Sequence, residues 1–135
     1  MNTAIQYRET DFSALQQDML EHLVSEHFER AFSVINTFEA DPEKALGHTN
    51  DLFRSISGHD HLSTLSVYKE LVARVRGMEE AGGFLEGVEL DSTLCWLIKE
   101  STPFNYESVG KIMNMDREQV KESIAKVRMA LLEVL

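Results

Sequence analysis

The sequence predicts an all-α protein, an amino-terminal helical bundle followed by a carboxyl-terminal trihelical helix-turn-helix module. Three observations carry that expectation. Apolar residues recur at three- and four-residue spacing along most of the chain, and no stretch shows the two-residue alternation of a strand. Cap residues also stand where the helical stretches begin and end.

Residues 11–38 form one long helical pattern, with Phe12, Leu15, Met19, Leu23, Phe28, Ala31, Phe32 and Ile35 along its inner side. Ala40-Asp41-Pro42 ends it and begins the next helix, with Asp41 as cap and Pro42 in the first turn, where a missing N–H costs nothing. That second helix carries Ala45, Thr49, Leu52, Phe53 and Ile56. Ser57-Gly58-His59-Asp60 breaks the pattern. A third helix then places Leu62, Leu65, Tyr68, Val72 and Val75 on one side and ends about Gly77. Gly82-Gly83 and Gly87 punctuate a short acidic connection, so the chain divides into a bundle over 1–81, a linker over 82–90 and a module over 91–135.

The module opens with a helix from Asp91 to about Ser101. Residues 104–135 then read as two amphipathic helices joined by the tight turn Asn114-Met115-Asp116. Asn105 caps the first, whose buried stripe is Val109, Ile112 and Met113. Asp116 with Gln119 three residues on forms a capping box for the second, which buries Val120, Ile124, Val127 and Leu131. Two helices joined in this way have a specific use, presenting the second helix to a DNA groove.

Composition bounds the function. The 135 residues are 43% apolar, enough to fill a core. No apolar run approaches the ~20 residues of a membrane span, and the first residues lack the charged-then-apolar order of a signal peptide, so a cytoplasmic location is expected. The only cysteine, Cys95, excludes an internal disulfide and a cysteine zinc site, and its neighbours Leu94, Trp96 and Leu97 place it in the core. The net charge of −10 opposes duplex DNA binding, which draws on Lys and Arg. Acids outnumber bases 16 to 7 over residues 1–90, but only 7 to 6 over 91–135. The carboxyl-terminal part is thus the least averse to DNA, with weak affinity expected for free duplex.

No enzyme, metal or cofactor is expected. His59 and His61 flank Asp60 without a third ligand nearby, and His22 and His27 are five residues apart on different helix faces. Glu79-Glu80 reads as a solvated loop pair. No nucleophile stands with a base and an orienting group.

Two stretches carry a family resemblance. Tyr106, Val109, Ile112-Met113, Asp116, Val120-Lys121 and Arg128 resemble, without a gap, the fourth region of bacterial sigma factors. His27-Phe28, Asp41-Pro42-Glu43, Ala45 and Asn50-Asp51-Leu52-Phe53 are similar, in order, to the second region of the extracytoplasmic-function class. The resemblance implies a transcription protein whose Asn50, Asp51 and Phe53 contact RNA polymerase. It also implies that Tyr68, Arg74 and Arg76 approach promoter DNA from the third helix. Arg117, Gln119, Lys121, Ser123 and Lys126 would then face a more distant promoter element from the last one. These types suit the task, since Arg and Lys neutralise phosphates and Gln can pair with an adenine edge. The chain departs from the family pattern at Leu46-Gly47, where two acids are usual, and at Glu122, Ser123 and Ala125, where cations are usual. Those departures define an alternative, an interaction module that mimics a sigma factor toward polymerase or an anti-sigma factor without reading DNA. Self-association in a homodimer would hide the apolar side of a short, phenylalanine-rich bundle.

A different class is suggested by Asp51-Leu-Phe-Arg-Ser-Ile56, which resembles the run before the phosphoaccepting histidine of histidine-phosphotransfer bundles. Ser57 stands where that histidine belongs, which argues against phosphotransfer.

Overall fold

Local signals place each helix. In the computed structural model, which describes residues 3–59, 61–78 and 85–134 (side chains from residue 14), the order is α1 (Thr3–Phe38), α2 (Pro42–Ile56), α3 (Thr64–Arg76), α4 (Leu90–Ser101), α5 (Tyr106–Met113) and α6 (Arg117–Val134). The described residues contain no strand. The Asp41 carboxylate accepts the Glu43 N–H at 3.0 Å, and Pro42 opens α2. Ser63, a cap absent from the sequence expectation, accepts the Ser66 N–H at 3.1 Å and sets the start of α3. Leu62 therefore precedes the helix instead of lying within it, and is half-buried. Gly87 adopts φ 80°, a left-handed conformation that costs a glycine little. Gly82-Gly83, Asp60 and Glu79-Glu80 lie outside the described residues.

The long first helix is only partly covered. Leu15 and Met19, expected on its inner side, are 67% and 45% exposed, and burial begins at Leu23. Length explains the difference: at ~1.5 Å per residue α1 runs ~54 Å, whereas its partners α2 and α3 run ~20 Å each. The side chain of Phe12 lies outside the described residues, and Phe28 and Phe32 are half-buried.

From Leu23 onward the apolar stripes merge into one buried cluster. It passes through Val34, Ile35, Leu52, Ile56, Val67, Tyr68 and Leu71 and continues through Leu94, Ile98, Val109, Ile112, Val120 and Ile124. Tyr68 joins the two ends of this series, with its ring edge-on to Phe104 at 5.3 Å and 88°. Across the connection between α3 and α4, Arg76 donates two hydrogen bonds to the Asp91 carboxylate at 2.9 and 3.1 Å. Both side chains are about two-fifths exposed, so this pair contributes less than ~1 kcal/mol and positions more than it stabilises. No helix among the described residues is long and apolar enough to cross a membrane.

Candidate nucleic-acid and polymerase interface

The junction of α5 and α6 is shaped by Asn114, Met115 and Gly110. Asn114 ends α5 in the left-handed conformation (φ 59°, ψ 49°), which asparagine tolerates better than most side chains. The chain then folds back, and the Met115 N–H donates to the Gly110 carbonyl at 2.9 Å. Gly110 is buried against this turn, and a Cβ there would fall well inside 3.0 Å of the Met115 carbonyl oxygen. Only glycine lets the turn lie so close. The Met115 thioether accepts weak hydrogen bonds from Cys95 Sγ at 3.5 Å and Ser123 Oγ at 4.0 Å, which ties the turn to α4 and α6.

The caps follow the sequence. Asn105 Oδ1 accepts the Ser108 N–H at 2.8 Å. At the start of α6, Asp116 accepts the Gln119 N–H at 2.8 Å while Gln119 Oε1 accepts the Asp116 N–H at 2.9 Å. α4, α5 and α6 pack on one another through Leu94, Ile98, Val109, Ile112, Val120, Ile124 and Val127, and all seven are buried.

The five α6 residues expected to face DNA divide by position. Arg117, Gln119 and Lys126 are exposed, and among the described residues neither Arg117 nor Lys126 has an ion pair. Lys121 is half-buried, 3.6 Å from Glu118 and over the Tyr106 ring at 5.7 Å. Ser123 is the correction: at 8% exposure it sits on the stripe of Val120, Ile124 and Val127, and its hydroxyl is spent on Met115. Helical geometry sets Glu118, Glu122 and Ala125 opposite that stripe, with Arg117 and Lys121 bordering them on one side and Lys126 on the other. The outward face is therefore exposed and mixed in charge, with its cations at the flanks.

The proposed polymerase and promoter contacts divide similarly. Asn50 and Asp51 are exposed on α2, with Asp51 3.8 Å from Arg54. Phe53 is 5% exposed and stacks on Phe28 at 5.7 Å, so it is a core residue and not a contact. On α3, Tyr68 is fully buried and Arg76 is engaged by Asp91. Arg74 is half-buried at the end of α3. An aromatic on an amphipathic helix reads as contact or core from sequence alone, and here the packing of α1 on α2 and α3 decides for core.

His27 and Cys95 complete the titratable interior. His27 Nδ1 lies 3.0 Å from the Tyr68 hydroxyl, and Nε2 lies 3.5 Å from Thr64 Oγ1. Burial, aided by nearby Arg30, lowers the His27 pKa, and burial raises that of Tyr68. Burial, with Asp91 close by, pushes the Cys95 thiol up to about 11, which leaves it inert. His59 and His61 are exposed, and no cluster of metal-binding side chains occurs among the described residues. No family model, curated protein or solved structure matches the chain.

Proposed function

We propose that this chain is a sigma factor-like transcription protein that binds RNA polymerase through its acidic amino-terminal helices and presents α6, as the second helix of a helix-turn-helix, toward promoter DNA. The observation that carries the reading is the α5–α6 junction. A three-residue turn with left-handed Asn114, a close-packed Gly110 and a capped α6 leaves Arg117 and Lys126 in solvent, with Gln119 exposed but its Oε1 held by the Asp116 N–H. That arrangement suits major-groove docking, in which the start of the second helix meets the DNA. The flanking cations can neutralise only two or three phosphates, so affinity for free duplex is low and polymerase supplies the rest.

A second reading is favoured by the burial of Tyr68 and Phe53 and by the Arg76–Asp91 pair, which together remove most of the contacts expected from α2 and α3. In that reading the chain occupies the sigma-binding surface of polymerase or of an anti-sigma factor and does not recognise a promoter.

Reconstituted transcription separates the two. With core polymerase, the wild-type chain should direct initiation at discrete sites, and Arg117→Ala with Lys126→Ala should reduce it ~10-fold or more without loss of polymerase binding. Polymerase or anti-sigma capture without any initiation would establish the second reading. Absence of both activities would refute the sigma-like assignment.

A further inference from the structure

A cleft of about 640 Å³ opens where the end of α1 meets α2 and the end of α3. Five titratable side chains line it: Glu39, Lys44, His48, Glu70 and Arg74. Lys44 and His48 are one turn apart on α2, and Glu70 and Arg74 are one turn apart on α3, so each pair shares a helix face. Charges of both signs thus meet in one space, yet none of the four charged groups forms an ion pair among the described residues. Glu39 spends one carboxylate oxygen on the Asp41 N–H at 3.2 Å.

Arg74 Nε is the telling atom. It is buried and has no hydrogen-bond partner among the described residues, although its guanidinium is charged. A buried charged donor without an acceptor is costly, and natural structures rarely keep one unless something else supplies the acceptor. The scarcity of cations sharpens the point. Residues 1–90 hold 7 bases in all, and two of them, with a histidine, face this cleft.

We propose that the cleft binds a small zwitterion of the amino-acid class, its carboxylate held by Arg74 and Lys44 and its ammonium by Glu70 and Glu39. Opposite charges that line one cleft without pairing are complementary to a molecule carrying both signs, whereas a simple anion would leave the two glutamates facing it unfavourably. Its volume suits a ligand of that size better than an ion alone. His48 offers a further donor or acceptor at the rim.

The test uses the full chain and NMR or calorimetric titration with each standard free L-α-amino acid to ~10 mM, and with acetate and methylammonium separately. At least one amino acid should bind saturably and neither single-sign probe should match it. Arg74→Gln and Glu70→Gln should each weaken binding ~10-fold or more. Lys44→Gln, an exposed change that leaves the core intact, should weaken it as well, with circular dichroism confirming the fold of every variant. No saturable amino acid, acetate binding as tightly as the amino acid, or wild-type affinity in both Arg74→Gln and Lys44→Gln would overturn the assignment. The readout involves neither polymerase nor DNA, so it stands or falls separately from the transcriptional reading.

Discussion

Replacing Gly110 by alanine sets two well-measured effects against each other. Inside a helix, Gly→Ala ordinarily stabilises by up to ~1 kcal/mol, because alanine loses less backbone entropy on folding. Here the new methyl would meet the Met115 carbonyl oxygen well inside 3.0 Å, and backbone cannot swing aside as a flexible side chain can. Overpacking of this kind costs ~1–3 kcal/mol. Moving the turn would also weaken the 2.9 Å Met115–Gly110 hydrogen bond, a further ~1 kcal/mol. The clash wins, and Gly110→Ala should destabilise the protein by ~1–3 kcal/mol. For a chain of this size that lowers the melting temperature by ~3–12 °C. Gly47 provides the internal control. It lies in α2, where an added methyl would find nothing within 4 Å, so Gly47→Ala should stabilise by up to ~1 kcal/mol. Urea denaturation of both variants beside the wild type measures the two signs in one experiment. If Gly110→Ala is as stabilising as Gly47→Ala, the close seating of α5 on the turn is wrong.

Two further outcomes concern the buried titratable groups. Unfolded His27 takes up a proton near its ordinary pKa of 6.5 while the folded residue resists it, so the unfolded chain binds more protons and stability falls as pH drops below about 6.5. His27→Gln should therefore lose less stability than the wild type on acidification from about pH 7.5 to about pH 5.5, measured by chemical denaturation, and equal losses would contradict the buried neutral imidazole. Cys95, with its pKa pushed up to about 11, holds a thiolate fraction of only ~0.1% at pH 8, so iodoacetamide should modify the native protein very slowly and the urea-unfolded protein readily. Equal rates in the two states would place Cys95 at the surface.

Much of the fold was legible because its signals are local. Asp41, Asn105 and the Asp116–Gln119 box act within one helical turn, and each forms the hydrogen bond its position predicts. The buried stripes of α2, α5 and most of α6 follow from periodicity in the same way. Periodicity shows only that a helix has an apolar side, however, and says nothing of whether a neighbour reaches it. Leu15 and Met19 belong to the stripe of α1 but lie beyond the reach of α2 and α3. The candidate site was legible in its turn and less so in its contacts. Phe53, Tyr68 and Ser123 are residue types equally at home at an interface and in a core, and tertiary packing turned all three inward. The cleft around Arg74 had no sequence signal, since its side chains come from α2, α3 and the connection after α1, and meet only once those helices pack.

The contact between Tyr68 and Phe104 also shapes how the chain is made. The two rings are separated by 36 positions (104 − 68), so at ~5–20 residues per second Phe104 is synthesised ~2–7 s after Tyr68. Until Phe104 docks, helices α1 to α3 can gather, but the tyrosine face that it covers stays open. The amino-terminal half alone is therefore stickier than the finished protein, and its protection depends on a phenylalanine 36 positions further along the chain.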